Sequence, residues 1–178
     1  MRTKTGTVAC ALGIAAAFIL PRLEAQPAAP PTGMQAALAK DAGTLADKFT
    51  GLARVMAGKY DWKPGQGVRS AGDVFNLIVM ENGMLTGVLS GAAAHGAGRP
   101  APIADPEKMQ EALRASYANL QKAITGLSES DLAAPVKLFG MDMTKQGAIM
   151  FLLSDQHEHL GQSIAYARSN GVAPPWSK

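Results

Sequence analysis

Between Asp105 and Leu127 the apolar residues Met109, Leu113, Tyr117, Leu120, Ile124 and Leu127 recur every three or four positions. That is the period of one helical face, and a helix with one apolar side must bury it against other elements. Asp105-Pro106 supplies a capping side chain followed by proline at the first helical position. Three further segments carry the same signal. Leu38, Leu45, Phe49, Leu52 and Met56 mark a first helix, followed by a loop containing Pro64, Gly65 and Gly67. Ser70 and Asp73 have capping-box spacing at the start of a second, whose buried face is Val74, Leu77, Ile78, Leu85, Val88 and Leu89. Thr144 opens a last helix whose inward stripe carries Ile149, Leu152, Leu153, Asp155, His159 and Ile164, and Asn170-Gly171 stops it. No strand pattern competes, so the expected fold is all-α: an antiparallel four-helix bundle with one longer connection between helices three and four. In that connection Ser128 and Asp131 start a single turn, and Val136 to Phe139 suit a short extended piece.

The N-terminus is a separate object. Basic Arg2 and Lys4 precede an apolar run from Val8 to Leu20, and Leu23-Glu24-Ala25 follows. This order predicts a secretory signal peptide over 1–25, a Pro- and Ala-rich flexible linker over 26–32, and a single domain over 33–178. The run is shorter than the roughly 20 residues that span a bilayer; a retained anchor is the alternative to cleavage. Removing residues 1–25 takes three of 17 basic and one of 14 acidic residues, so the mature chain carries a net charge of about +1. Such a balance gives no reason to expect a nucleic-acid partner. It also removes Cys10, the single cysteine, and with it thiol catalysis by the protein itself. The expected location is periplasmic or secreted, with no stable membrane insertion after cleavage.

Chemistry concentrates in Asp155-Gln156-His157-Glu158-His159-Leu160-Gly161-Gln162. At 3.6 residues per turn Asp155 and His159 lie about 40° apart, whereas His157 points about 160° away from both. The His-x-His pair is therefore not the functional pair. An i, i+4 carboxylate and imidazole can share a metal ion or a proton, and equally can be a structural hydrogen bond. Glu81 lies within about 20° of Val74 and Val88 on the second helix, where a carboxylate needs a partner. It is either a ligand or base, or the structural partner of Arg168, Lys48 or Tyr117. His157 and Glu158 are expected to face solvent or a second copy, and Met80, Met84, Met141, Met143 and Met150 to fill core gaps. Tyr60 and Trp62 should pin the loop after the first helix, Trp176 should cover one end, Gly161 should admit close helix approach, and His95 is incidental.

Lys59-Tyr60-Asp61-Trp62-Lys63-Pro64, Val68-Arg69-Ser70-Ala71-Gly72-Asp73-Val74, and Asp155 to Gln162 running into Ile164-Ala165-Tyr166-Ala167-Arg168 and Gly171 to Trp176 together resemble the DinB-like family. The resemblance implies a four-helix bundle, often dimeric, that binds a divalent metal through three histidines. Some relatives are thiol-dependent transferases. Carried onto this sequence, the helix-two histidine falls on Leu77, the first helix-four histidine on Asp155 and the second on His159. Leu77 cannot ligate a metal, and Glu81, one turn later, would complete a substitute set with Asp155 and His159.

Two functions follow. One is an exported hydrolase or transferase acting on a small-molecule substrate with zinc, nickel, manganese or iron held by Glu81, Asp155 and His159. The other is a non-catalytic bundle that has lost the site and serves as a binding or structural module.

Overall fold

The computed structural model describes residues 33–91 and 101–177. The expected signal peptide, the linker and His95 lie outside the described residues. Four long helices, α1 (Met34–Val55), α2 (Ala71–Leu89), α3 (Pro106–Thr125) and α5 (Lys145–Ser169), make up most of the remainder. Between α3 and α5 come a single turn, α4 (Glu129–Ala133), and a hairpin of β1 (Pro135–Leu138) and β2 (Met141–Thr144). No described helix is long and apolar enough to cross a membrane.

Side-chain caps place the helix starts where the sequence predicts them. Ser70 Oγ accepts from Asp73 N at 3.1 Å while Asp73 Oδ2 accepts from Ser70 N at 3.0 Å, closing the capping box of α2. Asp105 accepts from Glu107 N and Lys108 N at α3, and Thr144 Oγ1 accepts from Gly147 N at α5. Ser128 and Asp131 form a second capping box at α4.

Both α1 and α2 pack against α3 and α5, so the long helices form a ring in the order α1, α3, α2, α5. Directions follow from contacts near the helix ends. Gln35 reaches Leu127 O and Gln121 reaches Ala39 O, so α1 and α3 are antiparallel. Lys145 Nζ to Leu89 O and Tyr166 OH to Arg69 O make α2 and α5 antiparallel as well. In contrast, α2 and α3 run the same way. Asn76, near the start of α2, exchanges two hydrogen bonds with the backbone of Ile103 just before α3, and Asn82 further along α2 reaches Ser116 further along α3. The expected all-antiparallel arrangement is thus corrected: the chain enters α3 at the end where α2 began, and the long connection between α2 and α3 makes them parallel. Helical periodicity reports which face is buried and carries no information on direction.

The core is the inner surface of this ring. Leu45, Phe49, Leu52, Ile78, Leu85, Leu113, Tyr117, Leu120, Ile124 and Leu152 are fully buried in one cluster. Each such aliphatic or aromatic side chain contributes about 1.5–3 kcal/mol of burial free energy. Tyr60 donates to Ala53 O at 2.9 Å and meets Phe75 edge-on, pinning the loop after α1 as expected. Trp176 lies against Gly51, with Lys48 Nζ 5.4 Å from its ring centre. Two expectations fail. Met141 and Met150 are exposed rather than core, and Gly161 has open space where a Cβ would stand, so no helix approaches it.

Candidate metal centre

Helix α5 buries the stripe Ile149, Leu152, Leu153, Gln156, Leu160, Ser163 and Ala167. Asp155 and His159, expected on the buried stripe itself, stand instead at its edge toward α2, with side chains 39 % and 16 % exposed. His159 Nε2 lies 3.5 Å from Asp155 Oδ2. From α2, Glu81 projects into the same place and is 5 % exposed. One ligand atom from each of Glu81, Asp155 and His159 falls within 4.8 Å of the other two. The structure therefore brings together all three side chains that the sequence singles out, and places them at the α2–α5 seam.

Burial, joined by the neighbouring Asp155 carboxylate, pushes the Glu81 carboxyl up to about 7, while Arg69 and Gln156 pull the other way. Glu81 Oε2 is buried with no hydrogen-bond partner among the described residues. None of the structural partners expected for it is in place. Tyr117 OH donates instead to Gln156 Oε1 at 2.8 Å, Lys48 sits over Trp176, and Arg168 makes no contact with Glu81. An orphaned carboxylate oxygen facing a second carboxylate is a costly arrangement that a cation relieves. The donor set, two carboxylates and one imidazole, fits a divalent ion.

The imidazole is oriented by a chain that begins on its own helix. His159 Nδ1 is 2.9 Å from Gln162 Oε1, Gln162 Nε2 donates to Tyr166 OH at 2.7 Å, and Tyr166 OH donates to Arg69 O at 3.2 Å. Gln162 Oε1 accepts, so Nδ1 carries the proton and Nε2 presents its lone pair toward Asp155 and Glu81. Trp62 packs edge-on against Tyr166 at 5.2 Å and fixes that end of the chain.

Beneath the three side chains lies a polar ladder that sequence reasoning missed. Gln156 Nε2 donates to Asn82 Oδ1 at 2.8 Å and Asn82 Nδ2 donates to Ser116 Oγ at 3.1 Å; with Tyr117 on Gln156, this joins α2, α3 and α5. Gln156 and Asn82 are fully buried. The signal was available, since Gln156 continues the stripe of Leu152, Leu153 and Leu160. His157 is turned away as helical geometry requires, and its Nε2 pairs with Asp41 of α1 at 3.0 Å. Leu77, one turn before Glu81, is 8 % exposed, yet it stands outside the continuous hydrophobic cluster.

The fold and the three side chains define a mostly helical protein with a candidate metal centre between two of its helices. Residues 23–163 match the DinB superfamily, and the chain belongs to that metal-associated superfamily. Two of the solved structures that share the fold are DinB-like proteins. One is a DinB-like protein from Bacillus subtilis, with 15 % identity and a TM-score of 0.63, covering 76 % of this chain and 92 % of that one. The other is a DinB-like protein from Bacillus cereus, with 15 % identity and a TM-score of 0.68, covering 80 % of this chain and 97 % of that one. No curated protein matches the chain.

Proposed function

We propose that this protein is an exported, divalent-metal-dependent hydrolase or transferase acting on a small molecule, with Glu81, Asp155 and His159 holding the metal. The observation that carries this reading is the meeting of three donors from two helices within 4.8 Å, one of them with an orphaned buried oxygen. The bound ion, zinc, nickel, manganese or iron, would polarise the substrate or lower the pKa of a water or substrate thiol. His159 offers Nε2, and Asp155 offers an oxygen at the solvent side. Without metal the Glu81 carboxyl is raised to about 7, so it would give up its proton as the ion binds. Export is supported by the leader pattern of residues 1–25, with cleavage after Ala25 leaving the mature domain in the periplasm or outside the cell. A homodimer is the assembly we propose, and light scattering on the purified chain tests it.

Metal analysis of the full chain, produced without a polyhistidine tag or chelator, tests the site. Stoichiometric metal, lost in Glu81→Ala and in His159→Ala, is the expected result. Metal-free protein after exposure to each of the four ions would support the competing reading, a non-catalytic binding or structural module, which Leu77 at a ligand position favours.

A further inference from the structure

On the opposite side of the ring from the metal-ligand candidates, α1 and α3 enclose a cleft of about 370 Å³. Asp47, Thr50, Gly51 and Arg54 of α1 line one wall, and Gln110 and Arg114 of α3 line the other. Gly51 lets the C-terminal segment pack close to α1, since a Cβ there would meet Pro175 Cγ at 3.2 Å.

Two arginines from neighbouring helices share this cleft, and neither guanidinium has an ion-pair or hydrogen-bond partner among the described residues. Both arginines are exposed, and each guanidinium offers a planar fork of donors that matches a carboxylate or phosphate. Two more polar side chains border the same space. Thr50 lines the cleft with its Oγ1 buried away from solvent, and Gln110 is held in place by its donation to Pro106 O at 3.0 Å. The volume lies at the small end of the range for small-molecule sites.

We propose that the α1–α3 cleft is an oxyanion site that takes a small carboxylate or phosphate between Arg54 and Arg114. Asp47 is the one acid lining the cleft and works against the anion. Its charge tunes the site to weak, reversible binding. None of these residues belongs to the metal-ligand set, so the site stands apart from the proposed metal chemistry.

Amide chemical-shift titration of the full chain tests this in two arms, inorganic phosphate and succinate, each against chloride at matched ionic strength. Saturable shifts confined to Thr50, Gly51, Arg54, Gln110 and Arg114 are expected in one arm or both, and the saturating arm identifies the oxyanion. The double variant Arg54→Gln/Arg114→Gln should weaken binding by about tenfold or more, the loss of charged hydrogen bonds. Asp47→Asn should tighten it severalfold. The proposal is overturned if chloride reproduces the shifts, if neither anion saturates, or if the Asp47 variant leaves affinity unchanged or lowers it.

Discussion

His159 and Gln162, neighbours on one face of α5, share a hydrogen bond of 2.9 Å between Nδ1 and Oε1, and this contact decides which imidazole nitrogen is free. With Nδ1 protonated, Nε2 faces Asp155 and Glu81. Replacing Gln162 with leucine removes the acceptor and frees the ring to rotate. Metal affinity measured by competition with a chelator should fall by about 10- to 100-fold, the usual cost of losing such a supporting contact. An unchanged affinity would show that packing alone orients the ring.

Glu81 makes stability depend on pH in a predictable direction. Its carboxyl is raised from 4.5 to about 7 in the folded protein, so the native state holds the proton more tightly than the unfolded chain. The contribution is fully present below pH 4.5 and is lost as pH rises through about 7. By linkage the loss amounts to up to about 3 kcal/mol. Urea unfolding of the metal-free protein should show this decline, and Glu81→Gln should abolish it. Bound divalent metal should reverse the trend, because the ion requires the ionised carboxylate.

The buried ladder makes Gln156 a stability determinant. Gln156→Leu leaves Tyr117 OH and Asn82 Oδ1 without their partners in a dry core. The expected loss is about 2–4 kcal/mol, the cost of two unsatisfied buried groups. Denaturant midpoints at constant m-value measure it.

Strain sits at the hairpin tip. Leu138 pairs with Met141 across a two-residue turn, in which Phe139 and Gly140 have φ of 51° and 80°. Asparagine adopts positive φ more readily than phenylalanine, and Asn-Gly is the preferred pair for such a turn. Phe139→Asn should therefore raise stability by about 0.5–1 kcal/mol, seen as a rise of a few degrees in Tm. A fall instead would mean that the ring contact with Phe151, 6.1 Å between centres, outweighs the strain.

Local chemistry was legible in the order of residues. Caps at Ser70, Asp105, Ser128 and Thr144, the buried faces of four helices, and the outward turn of His157 all depend on neighbours within a few positions, and all appear in the structure. The candidate centre was legible in part. Asp155 and His159 are one turn apart, and Glu81 interrupts an apolar face, so each could be singled out alone. Their meeting could not, because the relative depth of α2 and α5 is set by packing between segments more than 70 residues apart. The same limit hid the parallel course of α2 and α3, and the ladder that places Gln156 against Asn82 and Tyr117. Sequence alone determined which faces of this protein are buried and where its helices begin; tertiary packing decided which polar groups share a site, since periodicity encodes angle around a helix axis and not position along it.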